Sequence, residues 1–417
     1  MTKRILVAVL AVVATALNPP SFDRRVSARA PAPDRMAIVV SDEPLHLQVW
    51  RAATAGYEKV WEATPRAVDP TWNERRPEQI AWPYDAGMKI GDVDGDGSNE
   101  LVVADAYGIA VYGRSPAYYS FPTAESTLSA LAVADLDGDG AAEIITQRRP
   151  RDSEDQCEIE VLKVGTGGLA TVWKGRLPGL ATGIFAGDVD NDGEKEIISG
   201  SISVTILKRR PGPKWEVVAE LPLTPPTGGF IAGDRWVQVA DVDGDGKNEI
   251  IVGGANGKLT IFKSSKVWQR VTYPVLWQSA NLMADGMTGR PNDRRSPSCI
   301  VGSVAVADID GDRRPEIVVG TGDYGRMGEV DISAGRLHVF RFNGRGDFTP
   351  VWLSDWISPS TVVSGIADVD GDGVNEIVLN GRDVYKRDSS TDTFRSVASL
   401  LPTAGSAVVG PLPELQE

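Results

Sequence analysis

Cysteine and histidine are nearly missing from this sequence, with two of each in 417 residues. Cys157 and Cys299 fall in different repeat units, so two unpaired or buried thiols are expected rather than a disulfide. His46 and His338 are read at equivalent third-strand positions, which predicts a repeated structural role rather than catalysis. Gly-x-Ser-x-Gly, His-Glu-x-x-His and the phosphate loop are all absent, and the hydrolase, zinc-protease and nucleotide-hydrolase readings go with them. Gly320-Thr321-Gly322-Asp323-Tyr324-Gly325 spells Gly-x-Gly-x-x-Gly between two expected strands; without a following helix it is no dinucleotide site. Arg345-Gly346-Asp347 is what a hairpin turn wants, so adhesion through that tripeptide is not expected.

Positive charge is also in deficit. Lys and Arg number 43 against 57 Asp and Glu, and the net charge of −14 speaks against nucleic acid and anionic membranes as partners. Only one long apolar run exists, Ile5 to Leu17, behind the basic Met1-Thr2-Lys3-Arg4 and carrying the small-residue pattern Ala14-Thr15-Ala16. It is shorter than the roughly 20 residues of a membrane span and reads as a cleaved export signal over residues 1–16. No cysteine lies near the cleavage site, so a lipoprotein is not indicated. The Pro-, Ala- and Arg-rich residues 17–35 are expected to be a disordered linker, with the folded domain over 36–417. Gly 44 and Pro 27 suit a fold with many turns.

What is there is a repeat. Six units recur: Asp92-Val-Asp-Gly-Asp-Gly-Ser-Asn-Glu100, Asp135-Leu-Asp-Gly-Asp-Gly-Ala-Ala-Glu143, Asp188-Val-Asp-Asn-Asp-Gly-Glu-Lys-Glu196, Asp241-Val-Asp-Gly-Asp-Gly-Lys-Asn-Glu249, Asp308-Ile-Asp-Gly-Asp-Arg-Arg-Pro-Glu316 and Asp368-Val-Asp-Gly-Asp-Gly-Val-Asn-Glu376. Each precedes a short β-branched run such as Ile250-Ile251-Val252, and most follow another such as Val304-Ala305-Val306: strand, acidic loop, strand.

Ca²⁺ is a hard cation that takes six to eight oxygens, and carboxylates at loop positions 1, 3 and 5 can converge on one point. Glycine at position 6 permits the positive φ that turns the chain over the ion. A backbone carbonyl at position 7 and the Glu at position 9 complete the expected shell. The candidate ligands are Asp92, Asp94, Asp96, Ser98 and Glu100 in the first loop, and Asp135, Asp137, Asp139, Ala141 and Glu143 in the second. The third and fourth loops supply Asp188, Asp190, Asp192, Glu194 and Glu196, then Asp241, Asp243, Asp245, Lys247 and Glu249. The last two supply Asp308, Asp310, Asp312, Arg314 and Glu316, then Asp368, Asp370, Asp372, Val374 and Glu376. Up to six structural Ca²⁺ are expected, the 308–316 site being weakest because Arg313 stands at the Gly position with Pro315 after it. An EF-hand is excluded, since its position 12 Glu is replaced by apolar Val103, Val252 or Val319 within a strand.

These loops resemble the FG-GAP, or VCBS-like, repeats of the integrin α-chain propeller and of many secreted bacterial proteins. The resemblance covers about residues 36–417; the words that name the family are largely worn away, with Val363-Ser364-Gly365-Ile366-Ala367 a remnant. It implies an all-β, calcium-binding β-propeller.

Between the loops recurs a hairpin: Leu47-Gln48-Val49-Trp50 with Val60-Trp61, Val161-Leu162 with Val172-Trp173, Leu259-Thr260-Ile261-Phe262 with Val267-Trp268, and Leu337-His338-Val339-Phe340 with Val351-Trp352. A blade is then strand 1, acidic loop, strand 2 and a strand 3–4 hairpin, all antiparallel. Met36 to Val40 reads as a second strand and Gly405 to Gly410 as a first strand without its aspartates. Joining them builds a seventh blade from both chain ends and removes free sheet edges. Seven blades are expected; six, with the ends packed alongside, is the alternative.

In such a blade the 1–2 and 3–4 connections share one face. The long segments Thr64 to Met88, Leu223 to Arg235, Leu276 to Ser298 and Thr321 to Ala334 fall in 4–1 or 2–3 connections, on the other. Trp50, Trp61, Trp173, Trp215, Trp268 and Trp352 are expected in the core. Trp72, Trp82, Tyr84, Trp236, Trp277, Arg294, Arg295 and Trp356 are the candidate ligand-binding residues of the insertion face. The function expected is non-catalytic recognition or adhesion towards an extracellular protein or glycan, in a secreted or periplasmic setting, the cell surface included. One alternative is a polysaccharide-active enzyme like the rhamnogalacturonan lyases, for which no base is visible. Another is a structural subunit of a cell-surface complex.

Overall fold

The computed structural model describes residues 34–42, 46–63, 87–104, 108–114, 118–120, 126–150, 152–153, 155–165, 167–179, 183–200, 203–212, 214–222, 236–254, 257–268, 270–282, 299–323, 326–327, 330–331, 335–357, 361–402 and 406–415. They form seven four-stranded antiparallel blades, with no helix among the described residues. Blade 1 is Gly87–Gly91, Glu100–Ala104, Ile109–Tyr112 and Tyr118–Ser120; blade 2 is Ser126–Ala134, Glu143–Pro150, Gln156–Gly165 and Gly168–Pro178. Blade 3 is Gly183–Gly187, Glu196–Gly200, Ser203–Arg210 and Lys214–Pro222; blade 4 is Val237–Ala240, Glu249–Gly253, Leu259–Lys263 and Val275–Gln278. Blade 5 is Cys299–Ala307, Glu316–Asp323, Leu337–Phe342 and Phe348–Leu353; blade 6 is Val363–Ala367, Glu376–Leu379, Asp383–Asp388 and Thr393–Ser399.

Both chain ends make blade 7. Ser406–Leu412 is its first strand and pairs with Arg35–Asp42, Val409 opposite Ile38; His46–Ala53 and Gly56–Ala63 follow outward. The first strand of each blade touches that of the next, and the ring closes through Ser406–Leu412 against Gly87–Gly91 on one side and Val363–Ala367 on the other. Asp34 and Arg35, expected in the linker, belong to the folded unit: Arg35 opens the strand, and Asp34 Oδ2 accepts the Asn99 N–H at 2.7 Å.

The core lies between blades. Alternate residues of a second strand face opposite neighbours, so Ile250 and Val252 pack with Ile198 and Ile206 of blade 3, while Ile251 packs with Val304 and Ile317 of blade 5. That is why these strands read as continuous β-branched runs and not as half-polar ones. Fully burying one such isoleucine is worth about 1.5–3 kcal/mol. Polar residues return on the fourth strand, where Thr393–Ser399 has no buried position. Near the axis the strands converge until a side chain no longer fits: a Cβ on Gly365 would lie 2.8 Å from Val409 Cγ2 of blade 7. The glycine of the family-like segment is therefore a packing requirement.

Several tryptophans bridge blades. Trp61 meets Tyr112 of blade 1 edge-on at 5.6 Å between centroids, Trp173 meets Trp215 at 6.2 Å, and Trp352 meets Phe394 at 5.0 Å. Two expectations need correction here. Trp268 is 93% exposed, because Ser265–Val267 and Arg270–Thr272 form an extra hairpin inserted after strand 3 of blade 4. The fourth strand comes later, and Trp277 pairs with Ile261 as Trp61 does with Val49 and Trp352 with Val339. The same register makes His338 the counterpart of Gln48, not of His46. His338 is buried and stacked on Phe340, whereas His46 sits at the start of its strand against Glu62 at 3.4 Å. Cys157 is a buried free thiol.

Candidate metal centres and the opposite face

All six acidic loops join strands 1 and 2 of blades 1–6 at the same end of the blade. One internal scaffold recurs. The first Asp spends both oxygens on backbone N–H groups: Asp92 on Gly95 and Gly97 at 2.7 and 2.9 Å, Asp308 on Gly311 and Arg313 at 2.7 and 2.8 Å. The Asp at position 5 gives Oδ1 to the N–H of position 7, so Ser98, Ala141, Glu194, Lys247, Arg314 and Val374 donate at 2.8–3.1 Å. The position 9 Glu reaches back with Oε2 to the N–H of position 2, as Glu249 does to Val242 at 3.0 Å. All six of these glutamates are at most 3% exposed.

Among the described residues no backbone N–H takes the second Oδ of positions 3 and 5 or the Oε1 of position 9. In blades 2–5 the Asp at positions 1 and 3 and the Glu at position 9 (positions 1, 3 and 5 in the first loop) hold oxygens within 4.8 Å of one another, so these clusters can hold a metal ion. An all-oxygen anionic set of this kind suits a hard cation such as Ca²⁺. The loops turn where expected: Gly97, Gly140, Gly246 and Gly373 have φ between 83° and 95°, and Arg313 is forced to φ 69° in the fifth loop. Asn191 at φ 60° sends its side chain to the neighbouring loop and accepts the Asn248 N–H at 2.7 Å; Asp190 Oδ1 is then buried with no partner.

A cation from strand 3 enters most loops, and the sequence reading did not anticipate it. Lys163 Nζ lies 2.9 Å from Asp137, 2.5 Å from Asp139 and 2.9 Å from Glu143. Lys208 meets Asp190, Asp192 and Glu196 at 2.7, 2.7 and 2.8 Å. Lys263 meets Asp243, Asp245 at 2.9 Å and Glu249 at 3.0 Å; Lys386 meets Asp370, Asp372 and Glu376 at 2.5, 2.8 and 2.8 Å. Arg341 meets Asp310 and, at 2.7 Å, Glu316. The counterpart in blade 1 is Gly113. The signal was a Lys or Arg straight after an apolar pair (Val161-Leu162-Lys163, Ile261-Phe262-Lys263), but at no fixed distance from the loop.

Electrostatics follows the packing. Burial pushes the Glu carboxyls up in all six loops: Glu100, which is also crowded by Asp94, Asp96 and Asp92, to about 8, and Glu196 to about 7 despite Lys208. Burial works against the Lys163 ammonium, yet its bonds to Asp139, Glu143 and Asp137 outweigh that and raise its pKa.

The expected ligand-binding residues fare differently from the loops. Trp72, Trp82, Tyr84, Arg294 and Arg295 lie outside the described residues. Trp236 is 3% exposed and packs with Val189 and Ile250, so it is core and no surface contact. Trp277 is a strand residue wedged against Phe340 and Phe348, its indole N–H donating to Asp347 at 2.6 Å, and it leaves the expected surface too. Trp356 alone of the described candidates is exposed, at 46%, with the Arg336 guanidinium 5.5 Å above its ring. Both flank strand ends remote from the acidic loops: Trp356 after strand 4 and Arg336 before strand 3 of blade 5.

The FG-GAP-like repeat family matches residues 92–146, which span the first two acidic loops. A search of curated proteins finds no match to the chain. Among solved structures, a "putative 6-phosphogluconolactonase" from Bacteroides uniformis is 11% identical with a TM-score of 0.46, over 91% of this chain and 98% of that one. BBS1N in complex with ARL6DN is 13% identical with a TM-score of 0.42, over 79% of this chain and 83% of that one.

Proposed function

Since the chain is a seven-bladed β-propeller of FG-GAP-like repeats, we propose that it is an exported, calcium-binding recognition module that takes a protein or a glycan on the face away from its acidic loops. The observation that carries the metal is the convergence, within 4.8 Å, of carboxylate oxygens from the Asp at positions 1 and 3 with the position 9 Glu, or with the position 5 Asp in the first loop. Asp92, Asp94, Asp96 and Glu100, and their counterparts, would hold Ca²⁺. The ion would neutralise crowded carboxylates and stiffen the turn; bound to the native state alone, it adds stability.

The recognition face is supported by Trp356 and Arg336, an exposed ring under a guanidinium, the pairing found at protein hot spots and useful against sugar faces. Export rests on the basic, apolar N-terminal segment, and the described residues contain no helix long and apolar enough to cross a membrane. Calcium outside cells is plentiful enough to fill even weak sites.

The test is a glycan array and a pull-down with the purified chain, each in calcium and in EDTA, beside a melting curve in both. Saturable binding lost in Trp356→Ala supports the reading. A melting temperature and binding that ignore EDTA would end the calcium account, and new ultraviolet absorbance from pectic fragments would turn the reading towards a lyase.

A further inference from the structure

The six loops share one scaffold, yet they divide by what stands across from their position 9 Glu. In blades 2, 3, 4 and 6 that partner is Lys163, Lys208, Lys263 or Lys386, and in blade 5 Arg341. Each lysine points its ammonium at the same three oxygens, the second Oδ of positions 3 and 5 and the Oε1 of position 9, which are the oxygens the loop does not use itself. An ammonium has three donors, and in blade 3 all three are received, Lys208 donating to Asp190, Asp192 and Glu196 at 2.7, 2.7 and 2.8 Å. The tethered cation thus sits against the position 3 and position 9 oxygens that, with position 1, make up the cluster an added cation would use.

Blade 1 is different. Leu101 pairs with Tyr112, which sets Gly113 opposite Glu100. A Cβ there would lie 2.9 Å from Glu100 Cγ and 3.0 Å from Oε1, so Glu100 leans into the space that a strand 3 side chain fills elsewhere. Glu100 is 3% exposed; its Oε2 takes the Val93 N–H at 3.0 Å, while Oε1 meets no nitrogen among the described residues. Nor does a lysine or arginine reach Asp92, Asp94 or Asp96 among them. Arg114, next along the strand, turns instead to Asp34 at 3.2 Å.

We propose that Lys163, Lys208, Lys263, Arg341 and Lys386 are resident counter-cations that occupy the metal position of their loops, and that the blade 1 loop facing Gly113 is the one left open to a divalent cation. This rests on the calcium reading above and narrows it. Calcium can enter the other loops only by displacing a cation that the chain itself supplies at high effective concentration. Five loops are held shut without metal, and one blade carries the response to it.

Native mass spectrometry of the full chain, titrated with calcium, counts the ions, and Tb³⁺ luminescence follows the same binding. One ion per chain is expected. Asp94→Asn should abolish it, and Gly113→Lys, which writes the blade 4 arrangement into blade 1, should weaken it at least about tenfold. Lys263→Met should gain one ion while keeping the first; it guards against Gly113→Lys failing only because Glu100 must move. Two or more ions in the unaltered chain, or no extra ion in Lys263→Met, overturns the counter-cation inference and leaves the calcium reading standing. No ion in any variant overturns both.

Discussion

Asn248 of blade 4 donates its side-chain N–H to the backbone carbonyl of Asp188 in blade 3, at 3.0 Å. Asn375 does the same from blade 6 to Asp308 of blade 5 at 2.7 Å, and Asn99 of blade 1 reaches Pro411 of blade 7 at 2.9 Å. Ala142 of blade 2 has no amide to offer and uses its backbone N–H on Asp92, at 2.7 Å. Position 8 of the loop is therefore an inter-blade staple in blades 1, 2, 4 and 6, set apart from the carboxylates; Lys195 and Pro315 stand there in blades 3 and 5. Asn248→Ala and Asn375→Ala should each cost about 1 kcal/mol, the worth of one partly buried hydrogen bond. Urea midpoints in calcium and in EDTA check this; the loss should be the same in both, because the staple does not touch the cluster.

The loops were legible because their chemistry is local. Five acidic and turn positions within nine residues survive any change in the length of the connections, and so does the second strand that follows. The strand 3 cations were not legible, since Lys163 and Lys386 meet their loops across hairpins of different length and only the strand register makes them equivalent. Blade 7 was legible because alternating apolar segments at both termini lacked a partner. Trp236 misled because sequence gives it a loop neighbourhood, whereas its ring turns into the layer between blades 3 and 4.

Arg313 holds φ 69°, where the other loops carry glycine. A side chain in that region costs about 1–2 kcal/mol relative to glycine, less what glycine adds to the freedom of the unfolded chain. Arg313→Gly should therefore stabilise by up to about 1 kcal/mol, read as a higher urea midpoint at unchanged slope. An unchanged or lower midpoint would show that the guanidinium has a stabilising contact that outweighs the backbone cost.

His338 sets an acid limit. Burial, helped by the nearby Arg336 charge, lowers its pKa to about 4, and its Nε2 is buried without a partner. The unfolded chain takes up this proton near its ordinary 6.5 while the folded one resists until about 4. The stability held by the neutral ring is thus complete above 6.5 and is lost as pH falls through that window, by about 3 kcal/mol in all. Glutamates raised by burial act in the opposite sense over part of the range, so a single curve will not isolate the histidine. The difference between the native chain and His338→Gln will, glutamine being what blade 7 has at that register position in Gln48. That difference should be flat above pH 7 and move in favour of the variant down to pH 4.

Val267-Trp268 and Leu276-Trp277 look alike in sequence, and both could close the outer strand of blade 4. Only the second does. Trp268 is 93% exposed at φ 59° in the turn of the inserted hairpin, a conformation that a bulky side chain adopts at a cost. Trp268→Gly should leave stability unchanged or raise it by about 1 kcal/mol. Trp277 packs on Phe340 at 5.8 Å and Phe348 at 5.4 Å, and its indole N–H satisfies Asp347. Trp277→Ala removes contact between blades 4 and 5 and leaves that carboxylate with one partner fewer, a loss of about 3 kcal/mol for a ring of this kind. Chemical denaturation of the two variants decides which tryptophan belongs to the blade: equal losses would mean that the inserted hairpin, and not Val275–Gln278, is the outer strand. The unequal result is the one that the register requires, since Trp277 faces Ile261 in the pairing that Trp61 and Trp352 repeat in blades 7 and 5.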